Sequence, residues 1–489
     1  MKKYFLTGLF VTTFCIVNAQ NFNIKEGEEF KPDDGALFNY YIGNNTNGIY
    51  LQRTSTKGAG ITKIFQRIDP VSLKSTYSQG FELDRREESN GTYLVENKIL
   101  AFTSKYEKKE ETKYLLLREY DALTGVAIGE VKQVSVMPCK PKELNDVDFS
   151  ILFSADNSKM AVINKKNRDL EIVIYNSKTS AKIATKKVLE AYQNSTLNTF
   201  NYRIDNTGNF YYLFYYMKDF DKQIGGFALA VSTLENQKQN VVELPLDKFQ
   251  IKNGAFEFIN NDIVFCGLYK DETNLTKPEV GFFSFFIDGK TLEIKRKGFD
   301  YFDPHVKEKL TYADGLIDKD PAKKFYSFEN IFTFNENVYL IESHSYAISG
   351  NGYIAYEREL IVSKFNKVGK LEWMKIIPKF TANKLNDFNF IVRNNKVHLF
   401  YAEHPKNMEK STINEYDPKK YHEIKNYNGS LLVCTTFDEK GNLSRKEVLK
   451  NDGWCYDPIS TNIIVDKENG IILKMINRNS ERYDKVTID

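Results

Sequence analysis

One pattern recurs seven times along this 489-residue chain: an apolar run with alternating spacing, then Asp or Asn, then a turn. It starts as Lys63-Ile64-Phe65-Gln66-Arg67-Ile68-Asp69 and returns as Leu116-Leu117-Arg118-Glu119-Tyr120-Asp121 and Ile172-Val173-Ile174-Tyr175-Asn176. The fourth copy, Ala228-Leu229-Ala230-Val231-Ser232-Thr233, has lost the acid. Phe283 to Asp288, Ile361 to Asn366 and Val433 to Asp438 complete the series. The first five copies follow one another at a period of roughly 55 residues, just beyond the longest of the common repeat periods, about 50. The last two spacings are longer. They place insertions near 300–328 and 404–427. Period-2 alternation with Gly, Asn and Asp turns predicts strands rather than helices.

Two more strands precede each copy. Asp148 to Phe153 and Lys159 to Asn164 flank one turn, Tyr202 to Ile204 and Phe210 to Tyr215 another. Each unit then holds about four antiparallel strands, and such a unit repeated at this period is a propeller blade. A solenoid is the competing architecture, but its repeats need capping units. After the seventh copy only three strands remain: Asn462–Val465, Gly470–Ile476 and Tyr483–Ile488. Asn21 to Lys25 is a spare β-like segment at the other end. The expected fold is therefore an all-β propeller of about eight four-stranded blades, closed by that N-terminal strand, with seven blades if the first or last unit is irregular. Residues 20–489 form one domain in this reading.

The segment from Met1 to Ala19 reads as a signal peptide. Lys2 and Lys3 make a positive n-region, Tyr4 to Val17 an uncharged h-region, and Val17-Asn18-Ala19 a loose A-x-A site, with cleavage between Ala19 and Gln20. The run is too short to span a bilayer, which takes about 20 residues. Cys15 raises lipidation, but Phe14 stands where a small residue is needed. The expected location is periplasmic or secreted, with no transmembrane segment in the mature chain.

Net charge is +3, and removing Lys2 and Lys3 leaves +1. Nucleic acid calls for clustered basic charge, and here Lys108-Lys109 and Lys165-Lys166 alternate with acids, so no nucleic-acid partner is expected. Against 2 Trp stand 36 Phe and 30 Tyr, which suit half-buried pleated surfaces. Cys139, Cys266, Cys434 and Cys455 lack C-x-x-C spacing. A Cys434–Cys455 disulfide stays open, and buried free thiols are the expectation for so large a core.

Some segments resemble known families. Phe153-Ser154-Ala155-Asp156-Asn157-Ser158-Lys159-Met160-Ala161-Val162 resembles the turn of TolB-like and WD40-like propeller blades. Gly369-Lys370-Leu371-Glu372-Trp373 resembles the G-K-x-x-W turn of quinoprotein-type blades. Leu371 to Lys379, with Tyr401-Ala402-Glu403-His404-Pro405-Lys406-Asn407, resembles a group of secreted, uncharacterised Bacteroidota proteins over roughly 330–489. That resemblance implies a propeller and an export route and carries no activity.

Chemistry is sparse. The five histidines, His305, His344, His398, His404 and His422, show no metal-ligand spacing, and no metal or cofactor is expected. No G-x-S-x-G elbow or phosphate loop is present. A glycosidase needs two carboxylates about 5–10 Å apart, which the innermost strands of different blades can supply. Asp148, Glu257, Glu329 and Asp387 are candidates, with Arg203 as counter-charge; one charge per blade also simply wets a channel. Long loops on a rigid scaffold are the usual place for binding. The first insertion carries Tyr301, Phe302, His305, Tyr312 and Phe325, the second His404, Tyr416, Tyr421, His422 and Tyr427. Tyr312, His404, Tyr421 and His422 are the binding candidates. A loop packed on its own side chains fits the same residues.

The expected function is an exported module that binds an envelope protein or a glycan without catalysis. A carbohydrate-active hydrolase or lyase using channel carboxylates is one alternative. A structural subunit of an envelope complex is another.

Overall fold

Turn chemistry cuts the chain into strands. A computed structural model describes residues 22–31, 38–55, 61–167, 169–188, 198–219, 224–235, 239–246, 249–259, 262–271, 281–302, 323–349, 353–382, 388–408, 421–422, 424, 430–449, 453–456, 464–465, 470–477 and 480–488. In it, the Asp or Asn that ends each repeated motif is a turn residue. Asp121 Oδ1 accepts from the amides of Leu123 (3.0 Å) and Thr124 (2.8 Å). Asp288 accepts from Lys290 (2.9 Å) and Thr291 (2.8 Å), and Asp438 from Lys440 (2.9 Å) and Asn442 (2.8 Å). A short acceptor side chain that caps the following amides is what makes Asp and Asn good turn formers. Elsewhere two-residue turns take over: Asn394 and Asn395 have φ of 49° and 57°, the left-handed pair that a tight hairpin requires.

Eight antiparallel sheets result. β1 (Phe22–Lys25) precedes blade 1, which is β2 (Phe38–Asn45), β3 (Gly48–Ser55), β4 (Ile61–Ile68) and β5 (Ser75–Leu83). Blade 2 is β6 (Glu87–Val95), β7 (Lys98–Glu107), β8 (Thr112–Asp121) and β9 (Lys132–Pro138), and blade 3 is β10 (Val147–Phe153), β11 (Lys159–Lys166), β12 (Asp169–Asn176) and β13 (Lys182–Val188). Blade 4 is β14 (Asn198–Ile204), β15 (Phe210–Asp219), β16 (Ile224–Ser232) and β17 (Asn240–Leu244), and blade 5 is β18 (Phe249–Ile259), β19 (Asp262–Asp271), β20 (Gly281–Asp288) and β21 (Ile294–Tyr301). Blade 6 is β22 (Lys323–Phe334), β23 (Asn337–Ser349), β24 (Tyr353–Phe365) and β25 (Leu371–Ala382), and blade 7 is β26 (Asn389–Arg393), β27 (Lys396–Glu403), β28 (Leu431–Phe437) and β29 (Leu443–Leu449). Each of the seven sequence motifs is the third strand of its blade.

Blade 8 uses both ends of the chain. β30 (Cys455–Tyr456) and β31 (Ile464–Val465) both pair with β32 (Gly470–Asn477), β32 pairs with β33 (Ser480–Ile488), and β33 pairs with β1. The register of the last pair is Phe22 with Ile488, Asn23 with Thr487, Ile24 with Val486 and Lys25 with Lys485. First strands of neighbouring blades approach one another from blade 1 through blade 6, β25 meets β27 of blade 7, and β31 of blade 8 meets β2 of blade 1. The chain is an eight-bladed β-propeller. Its N-terminal strand closes it.

Alternation in the third strands does not separate a buried face from a wet one. β20 is buried at seven of its eight positions. Phe283, Phe285 and Ile287 pack toward blade 4, against Phe227, Leu229 and Val231. Phe282 and Phe286, one step out of phase, pack toward blade 6, against Leu340, Ile361 and Phe365. Successive side chains point to opposite faces of a strand, so the period of two here assigns residues to the left or right neighbour. This is why so many of the Phe and Tyr residues sit in the core rather than on a ligand surface. Cys139, Cys266 and Cys434 are buried free thiols.

Phe285→Ala, which opens the contact between blades 4 and 5, is expected to cost about 3–5 kcal/mol in chemical denaturation. Val71→Ala, at a position 74% exposed, is expected to change stability by less than about 0.5 kcal/mol.

Candidate functional site

Antiparallel order gives the ring two unlike faces. First and third strands of every blade end at one face, second and fourth strands at the other. The first face carries short turns, such as Asn394-Asn395 and the Asx turns above. The second carries the long connections. The chain leaves β21 at Tyr301 and re-enters at Lys323, and it leaves β27 at Glu403 and re-enters at Leu431. Both insertions therefore leave from one face. The β23–β24 hairpin of blade 6, with 13 residues in each strand, runs to the same face.

The described part of the second insertion is built on a buried charge pair. Its first turn is the short helix α1 (Pro405–Met408). Glu403, the last residue of β27, is fully buried. Its Oε1 accepts from the His404 amide (2.8 Å) and from Asn407 Nδ2 (2.7 Å), and its Oε2 pairs with Arg445 Nη2. Arg445 Nη1 donates to the Tyr421 hydroxyl (2.9 Å). Asn407, itself fully buried, donates to the His422 carbonyl (2.8 Å) and accepts from the His422 amide (2.8 Å). One amide side chain thus holds both ends of the insertion together. The His404 and His422 rings stack with centroids 5.2 Å apart, and Ile424 is buried against the cores of blades 7 and 8.

Electrostatics follow from that burial. Desolvation raises the Glu403 carboxyl above its ordinary range, against the pull of Arg445, Asn407 and the His404 amide. Burial works to lower Arg445, but Tyr401, Glu403 and Tyr421 outweigh it and hold the guanidinium protonated. Burial also pushes the Tyr401 hydroxyl up to about 12. This is the chemistry of a structural hub. It orders the loop root and leaves His422 exposed at the rim.

Of the binding candidates, His404, Tyr421 and His422 are brought together around this hub. Tyr312 lies outside the described residues. The nearby Tyr301 ends β21, and Phe302 is buried against Phe282, with ring centroids 5.2 Å apart. Of the channel candidates whose side chains are described, Arg203 and Glu257 stand toward the same face on neighbouring first strands, and Asp148 toward the other. Asp148 is the second residue of β10, at the insertion-face end, exposed and accepting from the Phe149 amide (2.8 Å). Glu257 stands toward the other end of β18 and accepts from the Phe258 amide (2.9 Å). Arg203, one residue from the end of β14, donates to Asn201 Oδ1 (2.8 Å) and the Tyr202 carbonyl (3.0 Å) and lies over the Phe256 ring at 5.7 Å. Glu329 falls at a register shift in β22, its side chain outside the described residues, as is Asp387 altogether. Ala19 and Gln20 are outside them too. Among the described residues no three His, Cys, Asp or Glu side chains come together as metal ligands.

The hub residues Glu403, Asn407 and Arg445 were not sequence candidates. Glu403 and Asn407 both lie in the Tyr401–Asn407 segment, but Arg445 stands beyond the whole insertion and β28, on an ordinary outer strand. The G-K-x-x-W segment has a docking role instead. The Gly369 carbonyl accepts from Ser284 Oγ of blade 5 (2.7 Å), and Trp373 Nε1 donates to the Glu439 carbonyl of blade 7 (3.1 Å).

Neither a protein-family model nor a curated protein matches the chain. Solved structures do resemble it. The Dos1 propeller aligns with a TM-score of 0.46 at 9% identity, over 95% of each chain. The β-propeller domain of the Trilobed protease from Pyrococcus furiosus gives 0.38 at 10% identity, over 87% of this chain and 98% of that one. The WD40 domain of SCAP from fission yeast gives 0.38 at 7% identity, over 95% and 98%.

Removing one partner of a buried ion pair strands the other charge, at a cost of about 3–5 kcal/mol. Arg445→Met is expected to destabilise the chain by that order at neutral pH. The deficit shrinks as pH falls, because the stranded Glu403 carboxyl, its pKa raised in the folded state, becomes neutral. Denaturation of the single variant and of the Glu403→Gln/Arg445→Met pair at pH 7 and pH 5 checks this, with the pair expected nearer the parent.

Proposed function

We propose that the chain is an exported binding module that takes an envelope protein or a glycan on its insertion face. The carrying observation is that both long insertions and the extended β23–β24 hairpin leave the ring on one side, while the other side bears tight turns. Binding surfaces are usually built from long loops held by a rigid scaffold, and the Glu403–Arg445 hub supplies rigidity at the root of one of them. His404, Tyr421 and His422, joined by the exposed Lys406, are the contact residues in this reading, with Tyr312 from the first insertion.

Export rests on the n-region, h-region and cleavage signal ending at Ala19. The resemblance of residues 330–489 to secreted Bacteroidota proteins supports it. Among the described residues, no helix is long and apolar enough to cross a membrane. The two candidate carboxylates whose side chains are described, Asp148 and Glu257, stand toward opposite ends of their strands and lend the hydrolase reading no support. A glycosidase needs its two acids within about 10 Å.

The chain beginning at Gln20 is to be tested against a glycan array and, by crosslinking, against envelope extract. Saturable binding that falls about tenfold or more in Lys406→Ala/His422→Ala, with an unchanged thermal midpoint, is expected. Turnover of any glycan that vanishes in Asp148→Asn overturns the reading, as does binding untouched by changes on the insertion face.

A further inference from the structure

A crevice of about 860 Å³ opens between blades 2 and 3 on the insertion face. That volume is in the usual range for a small-molecule site. Its floor comes from blade 2: Ser104 and Tyr106 near the end of β7, and Lys113 on β8. Its far wall is Leu144, from the linker that leads into blade 3. Two buried hydroxyls face it without a hydrogen-bond partner among the described residues, Ser104 Oγ and Tyr106 Oη. Ser104 is only 2% exposed. A buried polar group left unpaired is costly, so two at one crevice mark a place where a ligand supplies the missing bonds.

Charge around the crevice is unbalanced. Arg86 is 3.4 Å from Glu107, and Lys113 is 3.9 Å from Glu88 while donating to the Val147 carbonyl (3.1 Å). Those four side chains offset one another. Lys108 and Lys109, exposed on the β7–β8 turn at the rim, make no ion pair among the described residues. Glu110, next on that turn, accepts from the Tyr114 hydroxyl and does not line the crevice. The crevice therefore has two spare cations at its mouth, orphaned hydroxyls inside, and a partly apolar lining from the Tyr106 ring and Leu144.

We propose that this crevice binds a small hydroxylated carboxylate, the chemistry of a uronic-acid sugar. Lys108 and Lys109 meet the carboxylate, Tyr106 and Ser104 hydrogen-bond the hydroxyls, and the Tyr106 ring lies along the sugar's apolar face. A free inorganic anion would satisfy the lysines and leave the hydroxyls and the apolar lining unused. An acidic peptide would do the same. The site is in blades 2 and 3, separate from the insertions of blades 5 to 7, and does not depend on what they bind.

The test is calorimetric titration of the chain beginning at Gln20 with digalacturonate, its neutral methyl ester, inorganic phosphate and tri-aspartate. Digalacturonate is expected to bind in a salt-sensitive way and the other three at least tenfold more weakly. Lys108→Ala/Lys109→Ala, two exposed positions, is expected to lower affinity about tenfold. Tyr106→Phe is expected to lower it about fivefold, the loss of one hydrogen bond. Tyr106→Phe also removes an unpaired buried hydroxyl, so its thermal midpoint without ligand is expected to hold or rise. No binding of digalacturonate at millimolar concentration overturns the proposal. So does equal binding of the ester, phosphate or tri-aspartate, or an affinity unchanged in both variants.

Discussion

Everything in this ring depends on one pairing, that of β1 with β33. Blades 1 to 7 are each built from one continuous stretch of chain. Blade 8 is not: its outermost strand comes from the N-terminal end and joins the last strand of the chain. Four residue pairs make the ladder, and a second bridge follows where the Phe30 amide donates to the Glu481 carbonyl (2.9 Å) and the Glu481 amide to Phe30 (3.0 Å). Between these two points Gly27 crosses Tyr483. A Cβ at Gly27 would collide with the Tyr483 carbonyl oxygen, so only glycine lets the backbones approach so closely. Arg482 holds the crossing from the side, 3.1 Å from Glu26 and 3.0 Å from Asp484. The same segment reaches blade 1, where Lys25 donates to the Val71 carbonyl (2.7 Å) and Glu28 pairs with Lys74 (2.9 Å).

That clasp explains how the other blades can be so apolar. A strand such as β20 or β28, buried almost throughout, is stable only if a neighbour covers each face. In an open array the end blades would each expose one such face. Joining blade 8 to blade 1 through β31 and β2, and fixing blade 8 with β1, gives every blade two neighbours. Each blade still keeps one outer edge strand, which radial repetition leaves short and protected rather than removed. The two insertions and the crevice are possible because this scaffold fixes where each connection begins and ends.

The scaffold was legible in the sequence for a physical reason. Each third strand ends in a residue whose side chain must cap the next turn, and that need leaves Asp69, Asp121, Asn176, Asp288, Asn366 and Asp438 as markers along the chain. Where blade 4 replaces the acid with Thr233, the apolar run alone still marks the strand. The spare strand before Glu26 could be inferred because the last unit was one strand short. Blade 8's inner strand was less visible, since it is split between Cys455–Tyr456 and Ile464–Val465. The sites were harder to read because their members meet only in space. Glu403 and Arg445 sit on different strands of blade 7, and nothing in their spacing announces a pair. Lys108-Lys109 alternate with acids along the sequence, and nothing in that pattern marks Ser104 and Tyr106, which line the same crevice. Asp148 and Glu257 both lie on the first strands of their blades, as expected of channel residues, but toward opposite ends of those strands.

Hydrogen exchange along β33 tests the closure most directly. The chain beginning at Gln20 is compared with one beginning at Phe30, which lacks β1 and Gly27 but keeps all seven continuous blades. Peptides spanning 470–488 are expected to be strongly protected in the longer chain and to lose most of that protection in the shorter one, while β20 exchanges alike in both under native conditions. Equal protection of 470–488 in the two chains would contradict the claim that the N-terminal strand holds the ring closed.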